Sequence, residues 1–250
     1  MPLPELPASV EGLALFLDVD GTLLEIAPTP DAVTVPAGLV PLLTSLARRL
    51  DGAMALLSGR PLVQLDTLLA PFRPAAAGVH GAELRRADGV VVEAGPTPPI
   101  DPALRRWLTA ELANRPGVRI EDKGSAIACH YRAAPQSAPY VKAAALAAQR
   151  AHPGLAILEG RMVVELRHAG ADKGRALRAL MAGPPFAGRR PVAIGDDVTD
   201  LDAFRAAEAL GGLGLAVGMT LAPARACVFD GPAAVHAWLA RLAHATKGSP

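Results

Sequence analysis

The chain has 250 residues, of which 51% are hydrophobic and 20% charged, with a formal net charge of +1. This balance supplies a sizeable core for one large domain or two small ones and excludes a disordered chain. Near-neutral charge and only 4% aromatic residues exclude a nucleic-acid partner, whether held by a basic footprint or on a base-stacking platform. Cys129 and Cys227 lie far apart and form no Cys-x-x-Cys pair, so they read as small core residues of a reducing compartment. The first residues, MPLPELPASVEG, lack the basic start and apolar stretch of a signal peptide. No apolar run approaches the roughly 18 residues of a membrane span. The expectation is a soluble cytoplasmic protein with no membrane partner.

In chain order, the apolar run LALFLD (13–18) predicts a buried strand, followed by a helix at about 37–50. AMALLSG (53–59) predicts a second strand, a helix follows at 61–70, and AAAGVHG (75–81) predicts a third strand. The Pro-rich AGPTPPIDP (94–102) breaks this rhythm and RHAGADKG (167–174) restores it. Between them the chain predicts a helix at 101–113, strands at 117–123 and 125–132, a helix at 137–151, and strands at 155–159 and 161–167. Helices at 172–182, 199–209 and 232–245 then alternate with strands PVAIGDD (191–197) and GLAVG (214–218). Strand–helix alternation argues for a doubly wound α/β parallel sheet, with an α+β insert of antiparallel hairpins against two helices. The division predicted is a discontinuous domain of 1–99 and 167–250 and an inserted domain of 100–166. GGLGLAVG (211–218) is not a dinucleotide-binding fingerprint, because its glycine spacing is wrong and no helix follows.

Ligands of doubly wound sheets bind beyond the carboxyl ends of the strands, and four polar groups fall there. In FLDVDGTLL Asp18 ends the first strand and Asp20 lies just beyond it, Ser58 in LLSGR ends the second strand, Lys173 opens the helix in ADKGRAL, and Asp196, Asp197 and Asp200 follow the strand in GDDVTD. Singly each has a plain structural reading. Asp-Gly is a common turn dipeptide, Ser58 would cap the helix opened by Pro61, Lys173 would be a surface residue, and Asp197, Asp200 and Asp202 would be first-turn acids favoured by the helix dipole. Accident does not account for their joint order.

This order and placement resemble the haloacid dehalogenase superfamily of phosphatases, over roughly residues 10–95 and 168–230. The resemblance implies that Asp18 attacks phosphorus and becomes an aspartyl-phosphate. A carboxylate suffices for this once a cation screens the repulsion between anions. Asp20 would protonate the leaving oxygen and later activate water. Asp18 and Asp196 offer hard oxygen ligands suited to Mg²⁺, and the family pattern adds the Asp20 backbone carbonyl, with Asp197 and Asp200 as supporting residues. Lys173 would neutralise phosphate and nucleophile, and Ser58 with backbone N–H groups would hold phosphoryl oxygens.

Alternation sorts the faces of the insert. Arg119, Glu121 and Lys123 share one side of the first strand; Ala126, Ala128, His130 and Arg132 share one side of the second; Val163, Glu165 and Arg167 share one side of the last. The opposite sides, with Val118, Ile120, Ile127, Cys129, Tyr131, Val164 and Leu166, should pack on the two helices. The polar, mixed-sign surface suits a neutral polyhydroxylated substrate, although an open antiparallel sheet normally has one solvated face.

GVHGAELR (78–85), EDKGSAIACHYR (121–132), VVELR (163–167) and GDDVTD (195–200) resemble trehalose-6-phosphate phosphatases. That resemblance implies a cap domain over the site, with Glu121, Lys123 and Glu165 binding sugar hydroxyls and His130 and Arg132 as further contacts. It also implies that Gly59 and Arg60 of LLSGR and His80 and Gly81 of GVHG contact substrate. A functional link to a trehalose-phosphate synthase follows from the same resemblance. One departure stands out: the family continues GDDxTD with Glu, and this chain has Leu201. The function expected is Mg²⁺-dependent hydrolysis of trehalose 6-phosphate. The alternatives are a capped phosphatase for a sucrose-, glucosylglycerol- or mannosylglycerate-type phosphate, and a non-catalytic sugar-phosphate sensor. The sensor predicts a broken catalytic set, and the set is intact.

Overall fold

The strands of the first segment are continuous apolar runs because they are buried on both faces. All five residues of β1 (Leu13–Leu17) are buried. The chain continues through α1 (Leu39–Arg49), β2 (Met54–Leu57), α2 (Leu62–Leu68) and β3 (Ala75–Gly78), then a short hairpin of β4 (Glu83–Arg85) and β5 (Val91–Glu93). Next come α3 (Pro102–Leu112), β6 (Arg119–Asp122), β7 (Ala126–His130), α4 (Ala138–Ala151), β8 (Leu155–Gly160) and β9 (Val163–His168). The chain ends with α5 (Lys173–Met181), β10 (Arg190–Gly195), α6 (Asp200–Ala209), β11 (Leu213–Val217), β12 (Cys227–Phe229) and α7 (Pro232–His244). This is a computed structural model, and it describes residues 4–27, 32–93, 98–160, 162–221 and 225–245. Two compact units emerge, Met1–Ala94 with Asp172–Pro250, and Gly95–Ala171.

The larger unit is built on an eight-stranded sheet of order β12-β11-β10-β1-β2-β3-β4-β5. Strands β12 to β3 are parallel, and at one edge β4 runs antiparallel to β3 and β5 antiparallel to β4. From β1 the chain winds outward through β2 and β3, whereas β10, β11 and β12 lie on the other side of β1. The topological switch therefore falls between β1 and β10, which pair over Leu13–Leu17 and Arg190–Ile194, and that is where such sheets bind ligands. Helices bury one apolar stripe each, as at Leu39, Leu43 and Leu46 of α1 or Val235, Trp238, Leu239 and Leu242 of α7, at the spacing of one helical face.

Three corrections apply to the expected elements. The strand expected over 75–81 stops at Gly78, because Val79, His80 and Gly81 have φ of 47°, 53° and 104° and leave the sheet. The β4–β5 hairpin and β12 were not anticipated: with three residues each, they are too short to show a period. Arg132 lies beyond the end of β7, so it does not extend the row of Ala126, Ala128 and His130.

The smaller unit is a four-stranded antiparallel sheet of order β6-β7-β9-β8. Its core joins Leu104, Leu108 and Leu112 of α3, Val141, Ala144, Ala145 and Ala148 of α4, and Ile127, Cys129, Val164 and Leu166 of the sheet. One face is thus apolar and covered by the helices, and the alternating residues occupy the other face, as the alternation predicts.

Candidate active site

β1 delivers Asp18 directly to the switch point. Its N–H donates to the Ile194 carbonyl of β10 at 2.9 Å, so the backbone is still part of the sheet where the carboxylate begins. The chain then folds tightly: Leu23 and Leu24 N–H both donate to the Val19 carbonyl, and Gly21 N–H donates to Leu24. Asp18 is 5% exposed, so an ionised carboxylate there requires a partner.

That partner is Lys173, the first residue of α5 and itself 2% exposed. Its Nζ donates to Asp18 Oδ1 and to Asp200 Oδ1, each at 2.7 Å. An ammonium at a helix N-terminus opposes the helix dipole, and the two carboxylates outweigh that cost. Burial by itself would lower the Lys173 pKa, but Asp18 and Asp200 raise it, so the lysine is firmly charged. Asp200 opens α6, and its Oδ2 accepts the N–H groups of Asp196 and Asp197, each at 3.1 Å. One side chain therefore holds Lys173 and shapes the loop that carries Asp196. Asp197 turns locally, its Oδ1 accepting the Val198 N–H at 2.7 Å. Leu201, beside Asp200 in place of the family's Glu, packs partly buried against the core.

Anions outnumber cations here. Burial and the neighbouring carboxylates push Asp196 up to about 9. Burial, opposed by Lys173 and reinforced by Asp200 and Asp20, pushes Asp18 up to about 7. Carboxylate oxygens of Asp18, Asp196 and Asp200 lie within 4.8 Å of one another, a set able to hold a metal ion. Two features fit a cation. Asp18 Oδ2 is buried without a hydrogen-bond partner among the described residues. Gly21, at φ 85°, leaves room for the Asp196 carboxylate, since a Cβ there would stand 2.2 Å from Asp196 Oδ2. Both Asp200 oxygens already accept hydrogen bonds, so Asp18 and Asp196 are the better ligands and Asp200 the brace.

Ser58 follows β2 and is 1% exposed. It does not cap α2, which takes Pro61 as its N-cap; Glu83 of β4 instead accepts the Leu62 N–H at 2.7 Å. Ser58 Oγ accepts the Arg60 N–H at 3.1 Å, which uses a lone pair and leaves the hydroxyl proton to donate. Arg60 grips Asp20 as a fork, Nε to Oδ2 and an Nη to Oδ1, both at 2.7 Å. The contacts of Glu83 and Arg60 were not foreseen. Each joins residues 21 or 40 positions apart, and neither spacing has a local signature. His80 and Gly81 lie in the left-handed turn after β3, beside Gly59 and Asp172.

On the polar face of the smaller unit, Glu121 of β6 and Glu165 of β9 both register with Ala128 of β7. His130 Nε2 lies 2.8 Å from Glu121 Oε2, and Lys123 Nζ donates to Glu165 Oε2 at 2.6 Å. Glu165 is 3% exposed, unusual for an acid on an open sheet face. The structure thus assembles Glu121, Lys123, His130 and Glu165 on one face, over a floor of alanine. Asp122 points the other way and pairs with Arg105 of α3.

The family model described as trehalose-phosphatase matches residues 16–222. A probable trehalose-phosphate phosphatase of Sinorhizobium fredii is 48% identical over 217 residues, 86% of this chain and 82% of the relative. The trehalose-6-phosphate phosphatase of Escherichia coli is 42% identical over 217 residues, 87% of this chain and 82% of the relative. In fold, a haloacid dehalogenase-like hydrolase from Bacteroides thetaiotaomicron superposes with a TM-score of 0.65 over 92% of this chain and 98% of that one, at 16% identity.

Proposed function

Because the chain belongs to the trehalose-phosphatase family, a family of phosphoric monoester hydrolases, we propose that it hydrolyses trehalose 6-phosphate to trehalose and inorganic phosphate, with Asp18 as the nucleophile. The observation that carries this reading is the asymmetry of Asp18: Lys173 holds Oδ1, and Oδ2 has no partner among the described residues. In the first step a bond forms between a carboxylate oxygen of Asp18 and phosphorus while the bond from phosphorus to the sugar oxygen breaks, and Asp20 gives that oxygen its proton. In the second, Asp20 takes a proton from water, whose oxygen attacks phosphorus and releases phosphate and the Asp18 carboxylate. Ser58 donates to a phosphoryl oxygen, and Lys173 balances charge that is spread over phosphate and nucleophile.

Asp18, Asp196 and the Asp20 carbonyl would hold a divalent cation, Mg²⁺ by its preference for hard oxygens, which would screen the repulsion between phosphate and carboxylates. Chelation should accordingly stop hydrolysis and added Mg²⁺ restore it, with Asp196→Asn needing far more Mg²⁺ for half-maximal rate. A metal titration of the rate reads this, and full activity in excess chelator overturns it. On this reading the substrate comes from a trehalose-phosphate synthase in the cytoplasm; no helix among the described residues is long and apolar enough to cross a membrane.

Glu121, Lys123 and Glu165 bind sugar hydroxyls in this proposal, with His130 orienting Glu121. A site built to hydrogen-bond a hydroxyl penalises its loss, because a polar partner is left unpaired. Each alanine variant should lose kcat/KM on trehalose 6-phosphate by at least about tenfold more than on p-nitrophenyl phosphate. Part of the loss should fall on kcat, since remote binding energy also orients the phosphate. Parallel losses on both esters would mean that these residues support only the fold. The substrate is tested by phosphate release from a panel of sugar phosphates with and without Mg²⁺. Release from trehalose 6-phosphate above the others is expected. Preference for another sugar phosphate removes the substrate assignment, and no release from any member removes the enzymatic one.

A further inference from the structure

The turn after β3 holds the longest run of left-handed residues among the described residues. Val79, His80 and Gly81 are left-handed in succession, with φ of 47°, 53° and 104°. For a β-branched residue such as Val79 this is a genuine outlier, and such strain persists only where the surroundings over-determine it. The surroundings here are the loop that carries Ser58. Val79 N–H donates to the Arg60 carbonyl at 3.0 Å, and His80 N–H donates to the Ser58 carbonyl at 2.9 Å. The left-handed backbone thus turns two consecutive donors onto one loop. The His80 ring adds a third contact: a Cβ on Gly59 would stand 2.6 Å from its Nε2 and 2.7 Å from its Cε1. On the far side, a Cβ on Gly81 would stand 2.5 Å from the Asp172 carbonyl, immediately before Lys173. The turn therefore touches the Ser58–Arg60 loop on one side and the start of α5 on the other.

We propose that this turn is a spacer between the two phosphate-handling segments and that His80 is a positioning residue, acting through Gly59 on Ser58 and Arg60 without touching substrate. The imidazole sets how far the loop can settle toward β3. The loop in turn fixes the Ser58 hydroxyl and the Arg60 fork on Asp20. This inference rests on the assignment of Ser58 to the phosphate.

A double-mutant cycle tests it. Gly59 is not left-handed, so the His80 ring, rather than the backbone, opposes alanine there. Gly59→Ala should lower kcat by about 10²-fold, the scale of a misplacement near 1 Å. His80→Ala should lower kcat by a similar proportion on trehalose 6-phosphate and on p-nitrophenyl phosphate. In the double variant the added methyl occupies space the imidazole has left, so kcat should recover above that of either single variant. His80→Asn, which keeps a side chain tolerant of the left-handed backbone, serves if His80→Ala does not fold. Additive losses overturn the proposal, as does a His80 variant with wild-type kcat. A loss confined to trehalose 6-phosphate also overturns it and makes His80 a sugar contact. Recovery of kcat that merely follows recovery of melting temperature reduces the effect to folding and overturns it as well. Ser58→Ala is measured beside the cycle: an active Ser58→Ala removes the phosphate assignment itself, whereas an impaired one with additive losses at 59 and 80 removes only the positioning role.

Discussion

Asp18→Asn should abolish turnover on every phosphate ester, including p-nitrophenyl phosphate, while the protein stays folded. An amide is isosteric with the carboxylate, so the contact of Lys173 with position 18 can persist through the amide oxygen. The second oxygen is lost, however, and that atom has no partner among the described residues. An amide nitrogen does not accept a phosphoryl group at a useful rate. A surviving route would need water as direct nucleophile, without the covalent intermediate. The matched variant is Asp20→Asn, which should cost about 10²–10⁴-fold, the usual contribution of general acid–base catalysis. It should also prolong the phosphorylated enzyme, because water is no longer activated. Rapid quench with radiolabelled substrate reads both effects: no protein-bound label in Asp18→Asn, and more label in Asp20→Asn than in the parent. Near-native turnover by Asp18→Asn would eliminate the covalent route.

Much of the larger unit was legible because its chemistry is local. Asp18 and Asp20 sit two residues apart at the end of a fully buried strand, and a burial pattern of that length can be read directly. The antiparallel faces of the smaller unit were legible for the same reason, since alternation assigns Glu121 and Glu165 to one side without knowledge of the register. What escaped was non-local or strained. Asp200 reads as either a first-turn acid or a support for the metal, and only the fold brings Lys173 to it from 27 residues away. The Arg60–Asp20 fork and the Glu83 cap depend on which loops become neighbours across the sheet. GVHG continues an apolar run and reads as strand, because hydrophobicity reports burial and carries no information about φ. Val79 is fully buried, as a strand residue would be, yet it turns the chain out of the sheet.

Lys173→Met separates the stability of this site from its chemistry. Lys173 is the cation bonded to both Asp18 and Asp200, and all three side chains are nearly inaccessible. Methionine fills similar volume without charge and leaves two carboxylates buried and facing each other. Breaking a buried ion pair from one side costs about 3–5 kcal/mol, so the variant should lose that order of unfolding free energy at neutral pH without added metal. The sign of its pH dependence follows from linkage. Asp18 and Asp200 are already raised by burial even with the lysine present, and its removal raises both further. A carboxyl whose folded pKa exceeds its unfolded value binds more protons in the native state. Stability then falls as pH rises from the unfolded value near 4 through the folded pKa. The deficit of Lys173→Met should therefore grow between pH 5 and pH 8, on the order of one to a few kcal/mol per carboxyl, and shrink in acid. A divalent cation replaces part of the missing charge, so Mg²⁺ should raise the melting temperature of the variant more than that of the parent. Activity should not return with it, because no residue then balances the charge on the phosphate and its Asp18 nucleophile. Chemical unfolding across pH, with and without Mg²⁺, together with the rate on p-nitrophenyl phosphate, makes the comparison. A variant of parental stability, or one whose deficit is flat with pH, would show that Lys173 is not what keeps Asp18 ionised.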